Sequence, residues 1–327
     1  MPLVHPIAGP QGVAPAAATL ADLLAAQDGL VTRHQALAAG MTDAALRHAA
    51  RPGGPWQRLD RGVYAAFTGN LGLRQRLRAA LLVAGPDAVL TGAHACHAQG
   101  MRYVPDVERP LALVPSAQRV APSPLVTIRR TLVLPPARLV TGLPVAPVER
   151  AVADACLGGT SLRDVRALVC ESVQRRLTTP ERLAGVLAVA PRRGTRLLRQ
   201  AVADVRAGCR SAPECELRDL VLTSRVLPEP QWNQPLPDLP GLTPDGWWEE
   251  ARLVVEVDSV EHHAIGPDAV DTQVRHAQLA AAGWTVLPVG PRRLRAHPAT
   301  VLLELESAYR AGVARTPAPV VGRLWLP

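Results

Sequence analysis

Thr243-Pro-Asp-Gly-Trp-Trp-Glu-Glu-Ala-Arg-Leu-Val-Val-Glu-Val-Asp-Ser-Val-Glu-His-His263 is the stretch on which the fold of this chain turns. Asp245 follows a proline, which biases the backbone toward extended geometry. Leu253, Val254 and Val255 form a short apolar run with two β-branched residues, as expected of a buried central strand. Glu256 and Asp258 interrupt that run at one end, two residues apart, so strand alternation sends both carboxylates to the same face. A turn near Gly246–Glu250 would fold the strand of Asp245 back beside this one and bring Asp245 close to Glu256. Acids converging at the end of a buried strand repel one another unless a cation or a proton settles them. Hard oxygen ligands on a rigid strand pair suit Mg²⁺ or Mn²⁺. The alternative is a solvated strand end with its acids facing water.

Around this stretch the elements are expected in the order helix, three strands, helix, strand, helix. Ser211 with Glu214 three residues later is a capping box opening the first helix, which gives Glu214 a structural role. Glu214 also precedes Arg218 at helical i,i+4 spacing. Strands are expected over Gln231–Leu236, around Asp245 and around Glu256. In the helix expected from Asp268 to Ala282, Val270, Val274, Ala277 and Leu279 are assigned to the buried face, and Asp271, Arg275 and Gln278 to the outer one. Trp284–Val289 reads as a strand and Pro298–Ala311 as the last helix. Trp232, Trp247, Trp248 and Trp284 read mainly as core, with base stacking as the alternative.

This order and its acids resemble the PD-(D/E)XK nuclease core. The pattern Glu-Val-Asp-Ser-x-Glu-x-His from Glu256 to His263, followed by Arg-His-Ala-x-x-Ala-x-x-Gly-Trp from Arg275 to Trp284, resembles the DUF559 group, related to the very-short-patch-repair endonucleases. The resemblance covers residues 211 to about 312. It implies a divalent ion, Mg²⁺ or Mn²⁺, held by Asp245 and Glu256 with the Val257 carbonyl. It further implies Glu214 reaching in from its helix, His263 as general acid or base, and Arg275 on the phosphate. Asp258 stands where many relatives carry lysine, and the chain contains no lysine at all. An acid there could add a metal ligand or leave a fold that only binds.

The N-terminal part has a different character. Leu20–Gln27 reads as a helix, Thr32 and Gln35 form a capping box for a second ending near Gly40, and Thr42 caps a third through Ala50. Trp56–Leu59 and Val63–Ala65 flank Asp60-Arg61-Gly62 as a hairpin. Three short helices followed by a hairpin predict a winged helix, with Arg47, Arg51, Arg58 and Arg61 as the candidate DNA contacts. A module that docks on a neighbouring domain is the alternative. The pattern Leu-Leu-x-x-Gln-x-Gly-Leu-Val-Thr-Arg-x-Gln-Ala-x-x-x-Gly from Leu23 to Gly40, with Trp-Gln-Arg-Leu-x-Arg-Gly-Val-Tyr from Trp56, resembles the N-terminal domain of AbiEi-type antitoxins of type IV toxin–antitoxin systems. That resemblance implies DNA binding, autoregulation and a cognate toxin protein as partner.

Between these parts, residues 70–155 read as a small α/β region, and residues 156–208 as a helical connector carrying a basic stripe at Arg192, Arg193, Arg196 and Arg199. In the connector, Thr178 with Pro180 and Glu181 is the expected start of the second helix. His94, Cys96 and His97 lie close together but lack a fourth ligand at zinc spacing, so they read as ordinary side chains. The whole is expected to be a multi-domain α/β protein: residues 1–18 disordered, 19–69 winged helix, 70–155 α/β, 156–208 connector, 209–312 nuclease-like and 313–327 tail.

Composition limits the function classes. A net charge of +8, all of its basic side chains arginine, favours polyanionic partners, although genomic base composition accounts equally well for the arginine. Five cysteines with no Cys-x-x-Cys pairing argue for reduced thiols rather than a disulfide framework. The N-terminus shows no signal-peptide pattern, and no apolar run is long enough to span a bilayer. The expected compartment is the cytoplasm.

Overall fold

The computed structural model describes residues 19–157, 161–257 and 267–315, with the backbone alone described for 267–272. Residues 1–18 and most of the expected C-terminal tail lie outside that set. The chain divides into two compact units, one comprising residues 1–94 and 107–147, the other residues 95–106 and 148–327. The expected winged helix and most of the small α/β region therefore fall in one unit, and the connector and nuclease-like region in the other.

In the first unit, α1 (Leu20–Ala26) is capped by Thr19, and β1 (Leu30–Thr32) runs directly into α2 (Arg33–Ala38). The Thr32 hydroxyl accepts from the Gln35 N–H at 3.1 Å while the Gln35 carboxamide oxygen accepts from the Thr32 N–H at 2.9 Å, the reciprocal cap expected. Thr42 caps α3 (Asp43–Ala49). The hairpin is β2 (Gln57–Asp60) and β3 (Val63–Ala65), and β1 completes an antiparallel sheet of order β1-β3-β2. The sequence reading has no strand at β1. Leu30 and Val31 are fully buried there against Ala65 and Tyr64, and that burial makes the strand.

α4 (Leu73–Ala84) and β4 (Val89–Thr91) follow, then α5 (Gly92–Ala98), which the unit boundary crosses. β5 (Leu111–Pro115), β6 (Thr127–Thr131), β7 (Arg138–Val140) and β8 (Leu143–Val145) complete a five-stranded mixed sheet of order β6-β5-β4-β8-β7. The β7–β8 hairpin is a second unread feature. Its two-residue loop puts Thr141 at φ 49° and Gly142 at φ 77°, a left-handed pair that sequence readings expect of Asn-Gly.

The second unit opens with four helices: α6 (Val148–Ala155), α7 (Leu162–Gln174), α8 (Pro180–Val189) and α9 (Arg196–Arg206). The cap of α8 is Thr179, one residue beyond the expected Thr178, whose hydroxyl instead donates to Glu149. Arg199 is not part of a basic stripe. Its guanidinium donates to the Leu187 and Ala190 carbonyls at the end of α8, whereas Arg192, Arg193 and Arg196 are exposed.

α10 (Ala212–Val221) leads to β9 (Gln231–Trp232), β10 (Gly246–Trp248) and β11 (Leu253–Glu256), then α11 (Pro267–Ala281) and β12 (Thr285–Pro288). The short α12 (Pro291–Ala296), absent from the sequence reading, precedes α13 (Pro298–Arg315). The sheet has order β12-β11-β10-β9, antiparallel except for the β11–β12 pair. The observed order is thus helix, three strands, helix, strand, helix with the short α12 inserted before the last helix, and with both units the chain is a multi-domain α/β protein. Both faces of the sheet are covered. Trp232, Trp248, Leu253 and Val255 share one core with Leu217, Val301 and Leu305, while Trp247, Val254, Leu279 and Trp284 form the other. All four tryptophans are core residues, so none of them is available to stack on a base.

Candidate active site

The antiparallel register of β10 and β11 pairs Trp248 with Leu253, Trp247 with Val254, and Gly246 with Val255. One step further along the same register, Asp245 stands across from Glu256, and the two side chains share a face of the sheet. The turn that creates this pairing spans Glu249–Arg252, closed by the Arg252 N–H on the Glu249 carbonyl at 3.0 Å, and lies later than expected. Gly246 is therefore in the strand, not in the turn. A Cβ there would come within 3.0 Å of the Val255 side chain and 3.1 Å of the Trp232 ring, so glycine lets β9, β10 and β11 close up beside the acids.

Each carboxylate has its own anchor. Asp245 Oδ2 accepts from the Val257 N–H at 2.7 Å, and the Asp245 carbonyl accepts from the Asn233 N–H at 3.0 Å. Glu256 is buried, and its Oε1 accepts from Arg275 Nη2 at 2.6 Å; the same Nη2 donates to the Thr243 carbonyl at 3.2 Å. Glu214, also buried, accepts through Oε2 from Asn233 Nδ2 at 2.7 Å and from the Arg210 N–H at 2.8 Å. Burial lifts the Asp245 carboxyl to about 7, with the negative charges of Glu214 and then Glu256 adding to the effect. The Val257 N–H and the Arg275 charge oppose it. Glu214, Asp245 and Glu256 thus act electrostatically as one cluster.

Several expectations change. The Ser211 hydroxyl does accept from the Glu214 N–H at 3.2 Å, but the Glu214 carboxylate turns to Arg210 and Asn233 rather than closing the reciprocal cap. The expected Glu214–Arg218 pair is absent among the described residues, because Arg218 reaches Glu229 at 2.8 Å and Asp204 at 3.7 Å. α11 is rotated relative to the expected face: Val274 is 51 % exposed and Ala277 is exposed, while Arg275 turns toward the sheet. The attraction between Arg275 and the buried Glu256 carboxylate sets that face.

Asp258 and His263 lie outside the described residues. Val257 meets the cluster through its N–H. Among the described residues no three His, Cys, Asp or Glu side chains are grouped to hold a metal ion. Asn233 is a residue of the cluster that the sequence did not single out. It bonds both Glu214 and the Asp245 backbone from a left-handed conformation (φ 51°), for which asparagine is among the favoured residues. In the first unit, Arg47, Arg51, Arg58 and Arg61 are all exposed on α3, just after it and on the hairpin. Arg47 makes a loose pair with Asp43 at 3.6 Å.

No protein-family profile matches the chain. It is similar to uncharacterized proteins from two strains of Mycobacterium tuberculosis, 34 % identical over 136 residues, which is 38 % of this chain and 49 % of each relative. The chain thus spans about half the length of the curated relatives it matches. No helix among the described residues is long and apolar enough to cross a membrane.

Proposed function

We propose that this chain is a cytoplasmic DNA-binding protein whose second unit hydrolyses phosphodiester bonds with a divalent metal ion, Mg²⁺ or Mn²⁺. The observation that carries the reading is Asp245 at the end of the β10–β11 pair, charge-coupled to Glu214 and Glu256 in an environment that lifts it to about 7. Asp245 and Glu256 offer the hard carboxylate oxygens that a divalent cation takes, and the Arg275 guanidinium offsets their charge only in part. Asp245 and Glu256 would hold the ion, and the ion would supply an activated water and neutralise charge on the phosphate. Glu214 and Asn233 fix the backbone and charge around Asp245. Arg275 holds Glu256 in place, and its guanidinium is of the kind that would suit a phosphate. The exposed arginines of the winged-helix part support duplex binding.

Incubation of the purified chain with plasmid and single-stranded DNA in Mg²⁺, Mn²⁺ or EDTA tests the proposal. Metal-dependent cleavage that disappears in Asp245→Asn and in Glu256→Gln supports it. Wild-type protein that binds but never cleaves overturns it. One observation favours a second reading, a non-catalytic antitoxin-like regulator that binds DNA and a toxin protein: Glu256 is already engaged by Arg275. Salt-sensitive duplex binding without cleavage would support that reading.

A further inference from the structure

A cavity of about 730 Å³ in the second unit is walled by five arginines, Arg102, Arg163, Arg175, Arg210 and Arg295, together with Tyr103. Among the described residues, Asp164 and Glu171 line the cavity with them, and Glu216 approaches two of the arginines from outside its lining. Glu216 lies between Arg163 at 3.6 Å and Arg295 at 3.5 Å, both long for an ion pair. Glu171 pairs with Arg175 at 3.1 Å, and Asp164 accepts from the Ser161 hydroxyl at 2.6 Å. Positive charge is left over. The Arg102 guanidinium is exposed and has no partner among the described residues.

The segment carrying Arg102 and Tyr103 is fixed from beneath. The buried Glu171 carboxylate accepts from the Arg102 N–H at 2.8 Å and 2.9 Å and from the Tyr103 N–H at 2.9 Å, and so holds both side chains outward, with Tyr103 65 % exposed. The N-terminal end of α10 forms another part of the wall and adds its dipole. A smaller cavity of about 240 Å³ shares Cys170, Gln174 and Arg210 with the first and extends to Asn233, the residue that holds Glu214.

We propose that this cleft binds single-stranded nucleic acid, with phosphates on the arginines and an unpaired base stacked on Tyr103, in a path that ends beside Glu214. Guanidinium forks match phosphate oxygens, an aromatic ring accepts any base, and the base must be unpaired to reach the ring. The inference rests on the proposed function only for the polymer it names, and its test is independent of cleavage.

Anisotropy of a fluorescent oligothymidylate with the full chain in EDTA, across a salt series, is the experiment. Arg102→Ala should weaken binding about tenfold and lower the salt slope by about one. Tyr103→Ala should weaken it about fivefold or more with the slope unchanged. A charge-matched control, Arg192→Ala, exposed and outside the cleft, should change affinity less than twofold. Binding of a duplex that Arg47→Ala impairs should be unaffected by Tyr103→Ala. Oligothymidylate affinity that survives both cleft substitutions, or that falls equally in the Arg192 control, overturns the proposal. Absence of cleavage in Mg²⁺ would leave these measurements unchanged and count against the nuclease reading alone.

Discussion

The second unit contains two acid clusters built from the same residue types, and their arginines compensate them to different degrees. In one, the buried Arg166 of α7 reaches Asp204 of α9 at 2.8 Å and Asp219 of α10 at 2.7 Å, while Arg218 approaches Asp204 at 3.7 Å. Burial and the Asp219 charge leave the Asp204 carboxyl raised even though Arg166 and Arg218 oppose that push, and the network closes three helices onto one another. In the other, Glu214, Asp245 and Glu256 meet the ion-paired guanidinium of Arg275, and Asp245 nevertheless rises to about 7. A network in which each carboxylate meets a guanidinium is scaffolding, even with Arg166 Nη2 left buried and unbonded. A cluster with surplus negative charge is costly to fold, which is the signature of a site that a cation or a substrate completes.

The largest effect should come from breaking the closed network. Arg166→Met leaves Asp204 buried and under-compensated, and should cost about 3–5 kcal/mol in urea unfolding. A loss below about 1 kcal/mol would mean the two clusters do not differ as argued. Asp245→Asn should do the reverse. Between about pH 4 and pH 7 the native state holds a proton on Asp245 that the unfolded chain has released, so wild-type stability falls as pH rises through that window. The carboxamide of the Asp245→Asn variant does not titrate, so that variant's stability should be flatter with pH and about 1–3 kcal/mol above wild type at pH 8. Parallel curves for the two proteins would remove the surplus charge from the picture. Arg275→Gln comes next. Because its partner is buried but Arg275 itself is 37 % exposed, the loss should be about 1–2 kcal/mol, with the Asp245 titration moving higher, as read by ¹³C carboxyl NMR.

Much of this contrast can be traced back to the sequence. Thr32 with Gln35, Thr42 and Ser211 marked helix starts because a cap is a local bond between residues three apart. Asp245 and Glu256 were legible because Pro244 and the Leu253–Val255 run fix two extended segments, and the two-residue period of a strand then fixes their faces. What stayed hidden depends on contacts across the fold. Asn233 is invisible as a site residue until β9 lies beside β10 and its amide meets Glu214. Thr141-Gly142 lacks the usual hairpin pair, so β7 and β8 emerge only when Leu143 and Val145 are buried. Arg166 owes its burial to partners on two other helices, Asp204 and Asp219, which lie far from it in sequence.

The orientation of α11 provides the smallest test and the one aimed most directly at the sequence reading. Val270, Val274 and Ala277 form an apolar stripe at helical spacing, which by itself would put Val274 in the core. In the fold the inward positions include Arg275 and Leu279, one turn apart: the first meets Glu256, the second is fully buried beside Trp247 and Trp284. Val274→Glu should therefore change stability by less than about 0.5 kcal/mol, whereas the same substitution at Leu279 should unfold the unit. If Val274→Glu proved as damaging as Leu279→Glu, hydrophobic periodicity would outrank the ion pair in setting the helix face. Arg275 would then point away from Glu256, and the open cluster would lose its guanidinium.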